Sequence, residues 1–327
     1  MVLVMFTIDE SNELGVGKFG TVFAGVFNET PVAVKKIKPH SLLLNKGAYE
    51  AHIQAQLVHP NIVRLLSSFE QHKVVYLVME LMALGDLFDI LYIKNNTLDL
   101  AMHHAIIKDV VAGLDYLHDK GFLHRDIKPE NILFNDRMQA KIGDFGLAIK
   151  QSDSKTSTFV GTKNYLAPEL ALSYMQRTKK YEYTKLTDIY ALGLTLLEMV
   201  LRTKAYGKSD EDLSWSDIAT SKYLPTPLDI DPICANVIAS CLTNNPAYRI
   251  GTKFLNQLLA ILLPELGGSV PIAIDGEYHI IHEAAKNGYP DIVKRLVACN
   301  RAFINLKDSC NQTALLWAAS RGHEDIV

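Results

Sequence analysis

The strongest constraint on this chain is one string, His124-Arg125-Asp126-Ile127-Lys128-Pro129-Glu130-Asn131. A Pro-free helical pattern precedes it over 98–118, and a short apolar run follows at 132–134. The string therefore reads as a loop held between a helix and a strand, which requires a fold of mixed α and β elements. An Asp five residues before an Asn lets one carboxylate approach a hydroxyl while the amide oxygen reaches a metal ion. A chance polar loop would not need this combination.

Other segments of the same kind appear in order along the chain. Leu14-Gly15-Val16-Gly17-Lys18-Phe19-Gly20-Thr21-Val22 fits G-x-G-x-x-G-x-V, in which glycines let backbone amides fold over phosphates. A dinucleotide fingerprint would open a helix, whereas this segment lies between two strand-like runs. Val32-Ala33-Val34-Lys35 follows on the next strand, and Glu50 lies on the helical stretch 46–57 before His59-Pro60-Asn61-Ile62-Val63. Asp144-Phe145-Gly146 and Ala167-Pro168-Glu169 bracket a long irregular stretch rich in Ser, Thr and Lys, a length that is normally functional inside a compact domain.

Together these segments resemble the eukaryotic protein kinases of the serine/threonine type, over roughly residues 12–252. The resemblance implies an α+β bilobal kinase fold with a β-rich N-lobe and a helical C-lobe. It implies transfer of the ATP γ-phosphate to Ser or Thr hydroxyls of protein substrates. On that basis Asp126 orients or deprotonates the hydroxyl, Lys128 reaches the transferring phosphate, and Arg125 serves the catalytic loop and its regulation. Asn131 and Asp144 hold Mg²⁺. The Gly-rich segment 14–22, Ala33, Lys35 with its partner Glu50, Met79 as gatekeeper, Glu80 and Met82 in the hinge, and Leu133 bind ATP. Glu169 pairs with Arg249, and Asp188 and Gly193 mark a buried helix supporting the catalytic loop. Thr158 and Thr162 are the regulatory positions, with a phosphate on Thr158 expected to pair with Arg125. Lys128 and the string Gly161-Thr162-Lys163-Asn164-Tyr165 favour Ser/Thr over Tyr specificity. Asp86 and Glu130 align with acids that in some kinases attract a basic residue upstream of the phosphoacceptor; the alternatives are a ribose contact for Asp86 and a family-wide position for Glu130.

One position departs from the family. Gln54 stands where a Leu or Met packs toward the Phe of D-F-G, so a polar amide is expected to weaken that stack unless Ile53 takes its place. The competing reading is a kinase-like scaffold without activity, against which the intact set Lys35, Glu50, Asp126, Lys128, Asn131 and Asp144 speaks.

Composition narrows the class further. At 327 residues, 48% hydrophobic, 21% charged and a net charge of −3, the chain gives no electrostatic case for a nucleic-acid or membrane-surface binder. Four cysteines without a C-x-x-C pair read as reduced thiols, and residues 1–8 lack a signal-peptide pattern, so a cytoplasmic protein is expected. The apolar run 189–201 carries Gly193 and Glu198 and reads as a buried helix. Near the end, 282–293 recurs loosely as 316–327 at an offset of 34 residues, resembling ankyrin repeats and a protein-binding surface. The expected domains are a kinase domain at 8–256, a linker at 257–274 and about one and a half repeats at 275–327.

Overall fold

The computed structural model describes residues 6–17, 20–37, 44–94, 96–209, 211–221, 224, 230–263, 280–299, 301–308 and 310–327. Lys18, Phe19 and residues 264–274 of the expected linker lie outside these. The chain divides into two units, one of Met1–Thr97, Ala112–Thr162 and Lys180–Thr184, the other of Leu98–Val111, Lys163–Lys179 and Lys185–Val327.

The first unit is built on a five-stranded antiparallel sheet of β1 (Phe6–Gly17), β2 (Gly20–Phe27), β3 (Thr30–Ile37), β4 (Leu65–Gln71) and β5 (Val74–Glu80), in the order β1-β2-β3-β5-β4. Asn28 and Glu29 turn between β2 and β3 with φ of 47° and 64°, the two left-handed residues that a tight hairpin demands. Strand alternation then decides where side chains go. Val32 and Val34 pack with Val78 on one face. Ile37 packs with Val75, Leu77 and Ala51 of helix α1 (Leu44–Gln54) on the other. Lys35 shares the register of Ile37, so it points to the α1 face, where Glu50 lies one residue before Ala51.

The same unit holds β6 (Gly85–Asp86), the end of helix α2 (Leu100–Asp119), β7 (Phe122–Leu123), β8 (Ile132–Phe134) and β9 (Ala140–Ile142). β6, β8 and β9 form a small sheet. Beyond it, β10 (Ile149–Lys150) pairs with β7, and β11 (Lys155–Thr156) pairs with β12 (Tyr181–Glu182), anchoring the irregular stretch at both places.

The second unit is helical. It contains α3 (Pro168–Met175), α4 (Lys185–Leu201), α5 (Trp215–Ala219), α6 (Pro232–Cys241) and α7 (Thr252–Leu262). Every residue of α4 from Thr187 to Met199 is buried, which explains an apolar run with no polar face. Among the described residues, no helix is long and apolar enough to cross a membrane. The boundary drawn at 256–257 falls inside α7.

The repeats follow as α8 (Ile280–Lys286), α9 (Pro290–Cys299) and α10 (Ala314–Arg321), with α8 packed on both α9 and α10. Gly288 after α8 and Gly322 after α10 adopt φ of 73° and 74°, the same left-handed stop 34 residues apart. His323 reaches from one repeat to the other, its Nε2 3.0 Å from the Lys286 carbonyl. Asp308 shapes the turn between them, accepting from the Cys310 and Gln312 N–H groups and, at 2.6 Å, from Trp317 Nε1.

Candidate active site

Lys35 is the hub of the first cluster. Its Nζ lies 2.7 Å from Glu50 Oε1 and 2.6 Å from Asp144 Oδ1, and both Lys35 and Glu50 are buried. Burial alone would pull the ammonium's pKa down, but the two carboxylates outweigh it and hold it above its ordinary value. Burial pushes the Glu50 carboxyl up, with Lys35 opposing it. For Asp144 burial acts in the same direction, but Lys35 wins and the carboxyl stays below its usual range.

The string His124–Asn131 forms the second cluster. Asp126 Oδ2 is 2.9 Å from Lys128 Nζ, and Asn131 Nδ2 donates to the Asp126 carbonyl at 2.7 Å. Thr162 completes it: its N–H and Oγ1 donate to Asp126 Oδ1 at 2.9 and 2.8 Å, and Lys128 Nζ donates to the same Oγ1 at 2.9 Å. The two clusters join through backbone, since the Gly143 N–H donates to the Asn131 carbonyl at 2.9 Å, one residue before Asp144.

Two residues here hold left-handed backbone without being glycine, Arg125 at φ 68° and Asp144 at φ 55°. Such conformations are costly and persist where surroundings over-determine them. Arg125 Nε donates to the Leu147 carbonyl at 2.7 Å and its guanidinium sits over the Tyr183 ring. Asp144 is held by Lys35. Between the two, His124 Nε2 lies 2.9 Å from the Gly143 carbonyl, and the His124 ring meets Phe145 edge-on.

The donor set suits a hard divalent cation. Asn131 commits Nδ2 to Asp126, which leaves its amide oxygen, and Asp144 commits Oδ1 to Lys35, which leaves Oδ2; oxygen ligands of this kind fit Mg²⁺. The residues expected around a nucleotide base also assemble. Met79 and Met82 are buried together with Val63, and Leu133 packs against them; Ala33 pairs with Met79 across the sheet. Leu14 and Val16 are exposed on the β1–β2 hairpin, where Gly15, Gly17, Gly20, Thr21 and Val22 line up in register. Thr158 is exposed, its N–H on Thr156 Oγ1.

Sequence reading missed three contacts. Glu80 uses its carboxylate to hold Lys141 Nζ at 2.7 and 2.8 Å and accepts from the Arg64 N–H at 2.7 Å, tying the end of β5 to β9. Thr162, expected as a regulatory position, is a partner of Asp126. Gln54 is buried, and its Nε2 donates to the Val63 carbonyl at 2.9 Å, so the amide is not an orphan in an apolar stack. None of these pairs has a local sequence signal.

The family model described as "Protein kinase domain" matches residues 8–260. The chain belongs to the protein kinase family. A second model, "Ankyrin repeats (many copies)", matches residues 281–327 of the same kinase chain. Similar proteins include "Probable serine/threonine-protein kinase kinX" of Dictyostelium discoideum, 30% identical over 275 residues, 80% of this chain and 24% of that protein. An Aurora kinase of Debaryomyces hansenii is 33% identical over 246 residues, 72% of this chain and 58% of that one. A calcium/calmodulin-dependent protein kinase type II of Caenorhabditis briggsae is 34% identical over 254 residues, 74% of this chain and 46% of that one. This kinase thus spans between a quarter and three fifths of the length of these relatives.

Proposed function

We propose that the chain is an active serine/threonine protein kinase that uses ATP and Mg²⁺, with the ankyrin repeats as a surface for a protein partner. The observation that carries this reading is the Thr162 hydroxyl, which donates to Asp126 at 2.8 Å while accepting from Lys128 at 2.9 Å. An acceptor Ser or Thr would use the same pair of groups. Its oxygen attacks the γ-phosphorus, the bond to the β-phosphate oxygen breaks, and the hydroxyl proton passes to Asp126 as ADP leaves. Lys128 offsets charge on the moving phosphoryl group. Lys35, aligned by Glu50, holds the α- and β-phosphates, and the glycines of the β1–β2 hairpin let the backbone approach them. Asn131 and Asp144 would hold Mg²⁺, which when bound neutralises phosphate charge. Ala33, Met79, Met82 and Leu133 supply an apolar surface for the base, with Glu80 contributing only backbone because its side chain is engaged by Lys141. Phosphorylation of exposed Thr158 is the proposed switch, acting on Arg125 through charge.

The test is transfer of labelled γ-phosphate to a generic basic substrate by the parent chain and by Asp126→Asn. Loss of the base should lower the rate by about 10²–10⁴-fold with ATP binding retained. A parent that binds ATP and transfers nothing, even with Glu at Thr158, would make the chain a scaffold.

A further inference from the structure

Wholly within the helical unit, His104, Asp231 and Cys234 bring one imidazole nitrogen, one carboxylate and one thiol within 4.8 Å of one another. His104 comes from α2; Asp231 and Cys234 come from the start of α6. Part of the arrangement is ordinary capping. Asp231 Oδ1 accepts from the Ile233 N–H at 2.9 Å and the Cys234 N–H at 3.1 Å. Capping does not explain why an imidazole 127 residues away places its Nε2 2.9 Å from that same oxygen, nor why the one buried thiol of the first helical turn lies beside it.

We propose that these three side chains form a site for a divalent transition-metal ion of the zinc class, completed by water. The ligand chemistry selects the ion: a nitrogen, an oxygen and a sulfur together suit a borderline-soft cation, whereas Mg²⁺ and Ca²⁺ reject thiolate. The geometry is near what such an ion needs. Tetrahedral zinc ligands lie about 3.3–3.6 Å apart for bonds of the usual length. Here the 2.9 Å contact between Nε2 and Oδ1 must open as the carboxylate turns Oδ2 to the ion, and the outlying ligand atoms must close in by about an ångström, which side-chain rotation supplies. Oδ1 already serves three donors, so Oδ2 is the oxygen left to the metal. The His104 and Asp231 side chains keep 13% and 18% exposure, which gives an ion and its water a way in. On binding, His104 coordinates as the neutral ring with its proton on Nδ1, and the Cys234 thiol proton leaves to solvent, one proton per ion. The ion would tie α2 to the start of α6.

The experiment uses the full chain with the exposed thiol removed by Cys310→Ser, stripped of metal and titrated with Co²⁺. One equivalent should raise a thiolate-to-cobalt charge-transfer absorption that Zn²⁺ then bleaches, with one proton released. Cys234→Ser should abolish the band, and His104→Ala should weaken Zn²⁺ binding at least about tenfold. Asp231→Asn, which keeps a good helix cap, should weaken it too with circular dichroism unchanged. A parent without the band, or a band that survives Cys234→Ser, overturns the assignment.

Discussion

Arg249 has a side chain with no exposure at all, and Glu169 balances its charge. NH1 and NH2 reach the two Glu169 oxygens at 2.7 and 3.0 Å. The remaining donors go to the carbonyls of Leu186, Thr243 and Asn244 at 2.7, 2.9 and 3.2 Å, with the Tyr190 ring beneath. Replacing Glu169 with Ala takes the carboxylate partner from an enclosed cation, which should cost about 3–5 kcal/mol. Glu169 is 26% exposed, so water reaches its site and the lower end of that range applies. Arg249→Met should cost at least as much, because it strands a carboxylate and three carbonyls at once. Against a total stability of about 5–15 kcal/mol, either loss is a large fraction. At about 2–4 °C per kcal/mol for a domain of this size, a loss of about 3 kcal/mol lowers Tm by roughly 6–12 °C. Thermal unfolding followed by circular dichroism reads this directly, and the shift should depend only weakly on added salt because the guanidinium is enclosed. Shifts under about 2 °C for both variants would mean less than 1 kcal/mol and would refute the account.

Gln54→Ala should lose about 1–3 kcal/mol by stranding the buried Val63 carbonyl, measured by denaturant unfolding, and Gln54→Leu should show no gain in basal transfer rate. Asp86 has its carboxyl pushed up to about 6, first by burial and then by Asp89 and Glu130. Its folded value lies above the ordinary 3.8, so the stability it contributes is complete below 3.8 and is lost as pH rises through about 6. Asp86→Asn, fixed in the neutral form and still able to accept from the Asp89 N–H, should track the parent in Tm at low pH and exceed it above 6; a constant offset would count against this. Gly113→Ala would gain about 1 kcal/mol in helix propensity. Its Cβ would nonetheless sit 2.5 Å from the Asn61 carbonyl oxygen, backbone that cannot swing aside. A net loss of stability is expected, from overpacking of about 1–3 kcal/mol.

What could be read from the sequence was what local pattern encodes. The strands at 132–134 and 140–142 stand where their apolar runs put them, and the helix read at 98–118 is Leu100–Asp119. β4 went unread because Leu65–Gln71 mixes Ser, Glu and Gln into its alternation, and because His72 and Lys73 turn the following hairpin with positive φ and without Gly or Asn. The site was legible as a set of motifs but not as a set of bonds. Nothing local links Thr162 to Asp126 across 36 residues, or Lys141 to Glu80 across 61. Gln54 looked like a misplaced polar group because its acceptor, the Val63 carbonyl, is defined only once α1 has docked on the sheet.

Gly113 has a reach beyond its own helix. The Asn61 carbonyl that α2 approaches there also accepts from the Ile142 N–H, and the Asn61 amide holds the Ala140 carbonyl. Two residues past Ile142 stands Asp144. The turn that carries Asn61 can hold β9 in this place because α2 lies close against it, a closeness that one methyl group at position 113 would deny. A side chain at position 113, remote from any reacting atom, would press first on Asn61 and through it on the strand that leads to Asp144.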